Sequence, residues 1–258
     1  MSVTIVINGE KQENLIRRSI NSCLKQTYKN IQIIVVYSSL KNINLIKKIY
    51  KKRVFFLKIN KKIQNPTQDQ LYKIKKSTAY IKGQYVFLLD GDDYFLKDKV
   101  FYVLKKVKNK KILIQDNYYE LINNDKKISR QQNYKEYKIY KYLINDWPRR
   151  ISTSTQALPT DILIKFFKYN NPLQWKHIAI DAQLAIYCGH KYGLKNLNNI
   201  YTVKNILKYS VDKNYQNIVS KNFWLRRIEQ HKLNNFYKKN NFKGLDFLFC
   251  NIINLIIK

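Results

Sequence analysis

Four short apolar runs, Val3–Ile7, Ile31–Val36, Val54–Leu57 and Tyr85–Leu89, are separated by stretches in which apolar residues return every three or four positions. An unbroken apolar run of this length suits a strand buried on both faces, and the intervening spacing suits a helix packed by one face. The first helical face is Leu15, Ile16, Ile20, Cys23 and Leu24, the second Ile43, Ile46 and Ile49, and the third Leu71, Ile74, Thr78 and Ile81. Thr67 and Gln70, three residues apart, predict a capping box at the start of that third helix. Strand and helix alternate through residue 93, which predicts an α/β fold whose sheet is mostly parallel, with four strands ending at one edge.

The fourth run stops abruptly at Asp90-Gly91-Asp92-Asp93. In open α/β sheets ligands bind at the carboxyl ends of the strands. Carboxylates this close repel one another unless a cation sits among them, and a hard divalent ion that also holds a phosphate-bearing ligand would meet that need. From residue types alone, a polar Asp/Gly turn closing a strand is the competing reading.

With 258 residues the chain has room for one large α/β domain with a helical appendage. It is 45% hydrophobic and carries 21 Tyr and 12 Phe, which sets it apart from disordered chains. Its 49 basic and 17 acidic residues leave a net charge of +32, which attracts polyanions: nucleic acid, anionic lipid or phosphorylated ligands. No nucleic-acid-binding motif is present, so that partner rests on charge and aromatic content alone. Cys23, Cys188 and Cys250 have neither zinc spacing nor a disulfide framework and read as core thiols of a reducing compartment. The N-terminus reads as a strand rather than a secretory signal, and no window approaches the ~18 to 20 apolar residues of a spanning helix. The expectation is a cytoplasmic protein, free or seated at the inner face of the cytoplasmic membrane.

Two blocks carry a resemblance. The run from Ser22 through Gln26-Thr27-Tyr28 to Val36 looks like the first helix and second strand of family 2 glycosyltransferases, which have the GT-A fold, and Gly83 to Asp93 is similar to that family's Asp-x-Asp segment. They fall in the family's order and spacing. The resemblance implies a nucleotide-sugar donor, with Asp90 facing its ribose or diphosphate and Asp92 holding Mg²⁺ or Mn²⁺ between the phosphates. Asp90 would share that metal site, Asp93 would support it, and Asn8, at the family's first-strand Asn, would line the same pocket. Where the family has two acids and a Gly that contact the base, this chain has Tyr37-Ser38-Ser39. Tyr37 is expected to stack on a base and Ser38 to hydrogen-bond it. A decayed donor site in a chain acting as a scaffold is the alternative.

Further on, Val100, Val103, Leu104 and Val107 predict a helix and Ile112–Ile114 a strand. Residues 117 to 150 show no clear period before Tyr140–Ile144, and Trp147-Pro148-Arg149-Arg150 reads as a loop leading into Ile151–Thr155. Trp175 to Tyr187 reads as an apolar helix interrupted by one acid, Asp181. The resemblance implies that Asp181 is the catalytic base. A carboxylate with a pKa of about 4 is ionised at neutral pH and can take a proton from an attacking hydroxyl. The alternative is an Asp stabilised by the helix dipole. His177, on the same predicted face, and Trp175 are supporting candidates, as pairing residue and as sugar platform or core. Leu197–Val203 predicts a last strand and 213–238 a basic helix.

The expected organisation is a transferase domain over 1–205, with a donor half at 1–116 and an acceptor half at 117–205, followed by a basic helical extension at 206–258. The apolar end, Leu245 to Ile257, has Asn251, Asn254 and Lys258 on one stripe. It suits either a membrane interface, with contact to anionic lipid, or docking on the protein's own core or a partner. The function expected is an inverting, metal-dependent transfer of a sugar to a glycan or lipid-linked acceptor in surface polysaccharide or lipopolysaccharide synthesis.

Overall fold

The computed structural model describes residues 1–9, 13–61, 63–107, 110–122, 125–128, 151–206, 215, 217–238 and 244–257. The readings at 140–144 and 147–150 lie outside these residues. Strands β1 (Val3–Asn8), β2 (Ile31–Tyr37), β3 (Phe55–Lys58) and β4 (Tyr85–Asp90) alternate with helices α1 (Glu13–Leu24), α2 (Ile43–Tyr50) and α3 (Pro66–Ser77). Then follow β5 (Tyr94–Phe95), α4 (Lys99–Val107), β6 (Leu113–Ile122), β7 (Asp125–Ile128), β8 (Gln156–Pro159), α5 (Thr160–Tyr169), α6 (Ile180–Lys191), β9 (Leu194–Asn205), α7 (Lys221–Lys238) and α8 (Leu245–Ile256).

Among the described residues, nine strands form one sheet in the order β3-β2-β1-β4-β8-β6-β9-β5, with β7 also on β6. The first four are parallel, as the alternation requires, so Asn8, Tyr37 and Asp90 arrive at one edge. The second half is mixed: β6 and β9 run parallel, while β8, β7 and β5 join antiparallel. Alternate strand residues feed two cores. Val6, Val36, Val86 and Leu88 pack with Leu71 and Ile74 of α3 and with α5 and α6. Ile5, Ile7, Val35, Phe87 and Leu89 pack with Ile16 and Ile20 of α1, Ile46 of α2 and Val100 of α4. This period of two is why the apolar runs have no polar alternation. Gly83, at the entry to β4, lies so close to β1 that a Cβ there would come within 2.4 Å of the Thr4 amide nitrogen.

Three local readings are corrected. The capping box does not form: Asn65 caps α3, its Oδ1 accepting from the amides of Thr67 and Gln68, with Pro66 at the first helical position. Helix α6 starts at Ile180, so Trp175 and His177 precede it and the shared helical face does not exist. Strand β6 runs ten residues rather than stopping at Ile114, because polar residues such as Gln115 and Asp116 are themselves buried in it. The three cysteines are free and buried, as core thiols should be. No helix among the described residues is long and apolar enough to cross a membrane.

Candidate active site

The acidic turn is held by its backbone. Arg18 of α1 donates to the Asp92 carbonyl at 2.7 Å and lies 4.8 Å from the Tyr94 ring centre. Ser19 Oγ is within 2.9 Å of the Gly91 carbonyl and 2.5 Å of the Asp93 carbonyl. The Gly91 amide donates to the Asn8 carbonyl at 2.9 Å, which locks the turn to the end of β1. Helix α1 thus takes up the carbonyls and leaves the carboxylates to other partners.

The Asp93 and Asp90 carboxylates have different partners. Asp93 is 1% exposed and points into the protein, where its two oxygens accept from Ser154 Oγ at 2.5 Å and from the Asn205 amide at 2.8 Å. Its role is to brace the turn, so the carboxylates at the edge are Asp90 and Asp92, both partly exposed. Asp90 Oδ1 accepts from Gln70 at 2.6 Å, and its amide donates to Ser154 Oγ at 3.0 Å. Burial, then the charges of Asp93, Asp92 and Asp181, hold the Asp90 carboxyl well above the usual carboxylate range, against Lys204. Burial and Asp92 push Asp93 up to about 7, against Ser154, the Asn205 amide and Lys204.

Asp181 reaches this field from the second residue of α6, 88 positions after Asp93 in the chain. Gln156 donates to its carbonyl at 2.8 Å, and its Oδ1 accepts from the Ala182 amide at 2.6 Å. Two polar atoms at the same edge are buried without a hydrogen-bond partner among the described residues: Asn8 Oδ1 and Ser38 Oγ. Asn8 is the register partner of Asp90 on the adjacent strand, so an acceptor without a donor sits beside a carboxylate that repels its neighbours. This combination fits a cation. No group of three or more ligating side chains is present among the described residues, so an ion held by Asp90 and Asp92 would complete its shell with oxygens of a bound ligand or water.

Other expectations fare differently. The Tyr37 ring, expected as a base platform, is 2% exposed and packed into the core on the α1 and α2 side, with the Lys47 ammonium 5.6 Å from its centre. It cannot offer a face to a base in this arrangement. Trp175 is partly buried against the core beside α6. His177 is tied to α7: its amide donates to Glu229 at 2.8 Å, and Arg226 donates to its carbonyl at 3.2 Å. Burial and the Arg226 charge hold its imidazole below the usual range. Gln70, Ser154, Lys204 and Asn205 were not expected. They come from α3, the turn before β8 and the end of β9, and nothing local in the sequence marks them. A groove of about 810 Å³ along α1, lined by Arg17, Arg18, Lys25, Tyr94 and Lys97, contains none of these carboxylates.

The model of the family described as Glycosyl transferase family 2 matches residues 2–166. The chain belongs to that family. An uncharacterized glycosyltransferase of Rickettsia bellii (strain RML369-C) is 28% identical over 159 residues, which is 61% of this chain and 22% of that protein. The Escherichia coli UDP-Glc:alpha-D-GlcNAc-diphosphoundecaprenol beta-1,3-glucosyltransferase WfaP is 31% identical over 120 residues, 45% of this chain and 46% of WfaP. This family 2 chain therefore spans less than half the length of either relative. Staphylococcus aureus TarS 1-349 in complex with UDP-GlcNAc superposes with a TM-score of 0.64 at 14% identity, over 100% of this chain and 71% of TarS 1-349. The Pyrobaculum calidifontis mannosyltransferase PcManGT in complex with GDP-Man and Mn²⁺ gives 0.63 at 10% identity, over 96% and 68%. At these identities the two structures establish the shared GT-A fold.

Proposed function

We propose that this chain transfers a sugar from a nucleotide-sugar donor to a hydroxyl of a glycan or lipid-linked acceptor, with inversion at the anomeric carbon. The observation that carries this reading is the placement of Asp90 and Asp92 at the carboxyl end of β4, beside the buried, unpartnered Asn8 Oδ1 of the adjacent strand, with the charge of Asp181, from the start of α6, also acting on Asp90. Asp90 and Asp92 would hold Mg²⁺ or Mn²⁺, which when bound offsets the charge developing on the departing diphosphate. Asn8 and Ser38 would supply polar contacts to the donor. Asp181 accepts the acceptor hydroxyl's proton as that oxygen bonds to the anomeric carbon and the bond to the diphosphate breaks, its electron pair leaving with the phosphate oxygen. Residues 1–116 are then the donor half and 117–205 the acceptor half, with 206–258 an extension. The named substrate of WfaP supports a place in surface-glycan assembly, with a diphospholipid-linked acceptor.

The first test separates the two acids. In Asp181→Asn, transfer should fall by about 10²- to 10⁴-fold, while calorimetry still detects the donor with Mn²⁺. In Asp92→Asn, the Mn²⁺-dependent part of nucleotide binding should disappear. Full transfer by Asp181→Asn removes that residue from the chemistry. The scaffold reading has one observation in its favour, the burial of Tyr37 where a base reader is expected. It requires that UDP, GDP and their sugars fail to bind with or without Mn²⁺.

A further inference from the structure

Helix α8 is oriented contrary to the rule for a surface helix. Leu245, Leu248, Phe249, Ile252, Leu255 and Ile256 are 61, 52, 56, 56, 83 and 68% exposed. At 3.6 residues per turn these six side chains fall within an arc of roughly 120°. The opposite side carries the helix's few polar groups as well as its anchors. Phe247 and Cys250 are buried against Trp224 and Ile228 of α7. Asn251 donates to the Phe247 carbonyl at 2.7 Å, and Asn254 Oδ1 is buried. Asn251 and Asn254 of the polar stripe are therefore partly sequestered, while the more apolar side faces out. Ile218 and Val219, 61 and 70% exposed, extend the patch, because the Ile218 carbonyl accepts from the Trp224 indole whose ring touches Phe249.

Charge identifies the occupant. Helix α7, which carries α8, holds Lys221, Arg226, Arg227, Lys232 and Lys238 against the single acid Glu229, and Lys221, Lys232 and Lys238 are exposed. Over the chain the balance is +32. An apolar stripe beside exposed cations matches the boundary of an anionic bilayer, where acyl chains receive the stripe and phosphate headgroups receive the lysines. We propose that α8 lies in the plane of an anionic phospholipid surface, inserting Leu248, Phe249, Ile252 and Leu255, and so holds the sheet at the membrane.

The test needs no donor or acceptor, so it succeeds or fails apart from the reaction. Vesicles of equal phosphatidylglycerol and phosphatidylcholine should sediment the protein at 0.15 M salt, and pure phosphatidylcholine vesicles should do so at least tenfold more weakly. The triple variant Leu248→Ser, Ile252→Ser, Leu255→Ser keeps every charge. Its affinity for the anionic vesicles should fall at least tenfold, with an unchanged circular dichroism spectrum and melt. Wild-type protein left in the supernatant, or a folded triple variant that binds as well as wild type, overturns the proposal. So does a wild-type dimer that the triple variant abolishes while vesicles recruit neither. Leu255→Trp, at the most exposed position, gives a reading that does not depend on the triple variant folding. Its added emission should shift to the blue and be quenched by brominated lipid, and emission unchanged from solution would refute insertion.

Discussion

Lys99 and Asp116 are both fully buried, with Nζ 2.7 Å from Oδ1. The ammonium also lies 2.6 Å from the Ser154 carbonyl and 2.6 Å from Thr202 Oγ1, so each of its three protons has an acceptor. Asp116 in turn accepts from Thr202 at 2.7 Å and from the Tyr201 amide at 3.2 Å. Burial pulls Lys99 down and Asp116 up, and each opposes the shift of the other. Removing one partner leaves a charge in the core, so Lys99→Met should cost about 3–5 kcal/mol in urea unfolding. Adding Asp116→Leu should restore most of that loss. A single substitution costing under about 1 kcal/mol would show that the pair is not the brace its geometry implies. Ser154 links this pair to Asp93 and to the Asp90 amide, so the same variant should also weaken donor binding.

At the scale of elements, α7 and α8 meet through a buried imidazole. His231 Nε2 is 3.2 Å from Asp246 Oδ2, and its ring packs edge-on to Phe247. Burial and the Arg227 charge push His231 down to about 3. Below its ordinary value near 6.5 the unfolded chain binds a proton that the folded one refuses, so stability falls as pH drops from about 6.5 towards 3. Asp246 would pair with the protonated ring and reduce the loss, which should be on the order of 2 kcal/mol. His231→Phe should flatten that limb of the stability profile, and a profile identical to wild type would place the pH sensitivity elsewhere. Legibility also varied by element. The first four strands and α1 to α4 were readable because apolar residues at regular spacing form most of their buried faces. Strand β6 was readable only at its start, because its buried Asp116 and Asn117 are satisfied by Lys99 and by the Asn198 carbonyl, from elsewhere in the chain. At α3 the sequence reading placed the cap at Thr67, and Pro66, which fits the first helical position and so sets the cap at Asn65, was the overlooked signal. Before α6, apolar residues hid the true start, because Ala179 is the extended N-cap residue and no side chain caps the helix there. At the candidate site, Asp90, Asp92 and Asp181 were expected from the resemblance to the family, whereas Gln70 and Lys204 come near Asp90 only through the fold.

For the whole molecule the dominant fact is surplus charge. With 49 basic and 17 acidic residues, cations outnumber acids by 49 − 17 = 32. Among the described residues several acids are already committed: Asp69 to Lys73, Asp161 to Lys165 and Lys111, Glu13 to Arg17. The surplus cations are brought closer together on folding than in the expanded chain, so self-repulsion opposes the compact state. Salt screens exposed charges over about 10 Å at 0.1 M and about 3 Å at 1 M, while the buried Lys99–Asp116 pair is screened much less. The few surface pairs lose at most about 1 kcal/mol each on screening, and relief of repulsion among the remaining cations should exceed that loss. Raising sodium chloride from 0.05 to 0.5 M should therefore lift the melting temperature by about 2–6 °C, near 2–4 °C per kcal/mol for a chain of this size. Charge-reversing two exposed lysines on the basic face, Lys232→Glu and Lys238→Glu, should reproduce part of the rise at low salt and shrink the response to added salt. A melting temperature that stays level or falls with sodium chloride would mean that surface pairs outweigh repulsion despite the excess of lysine.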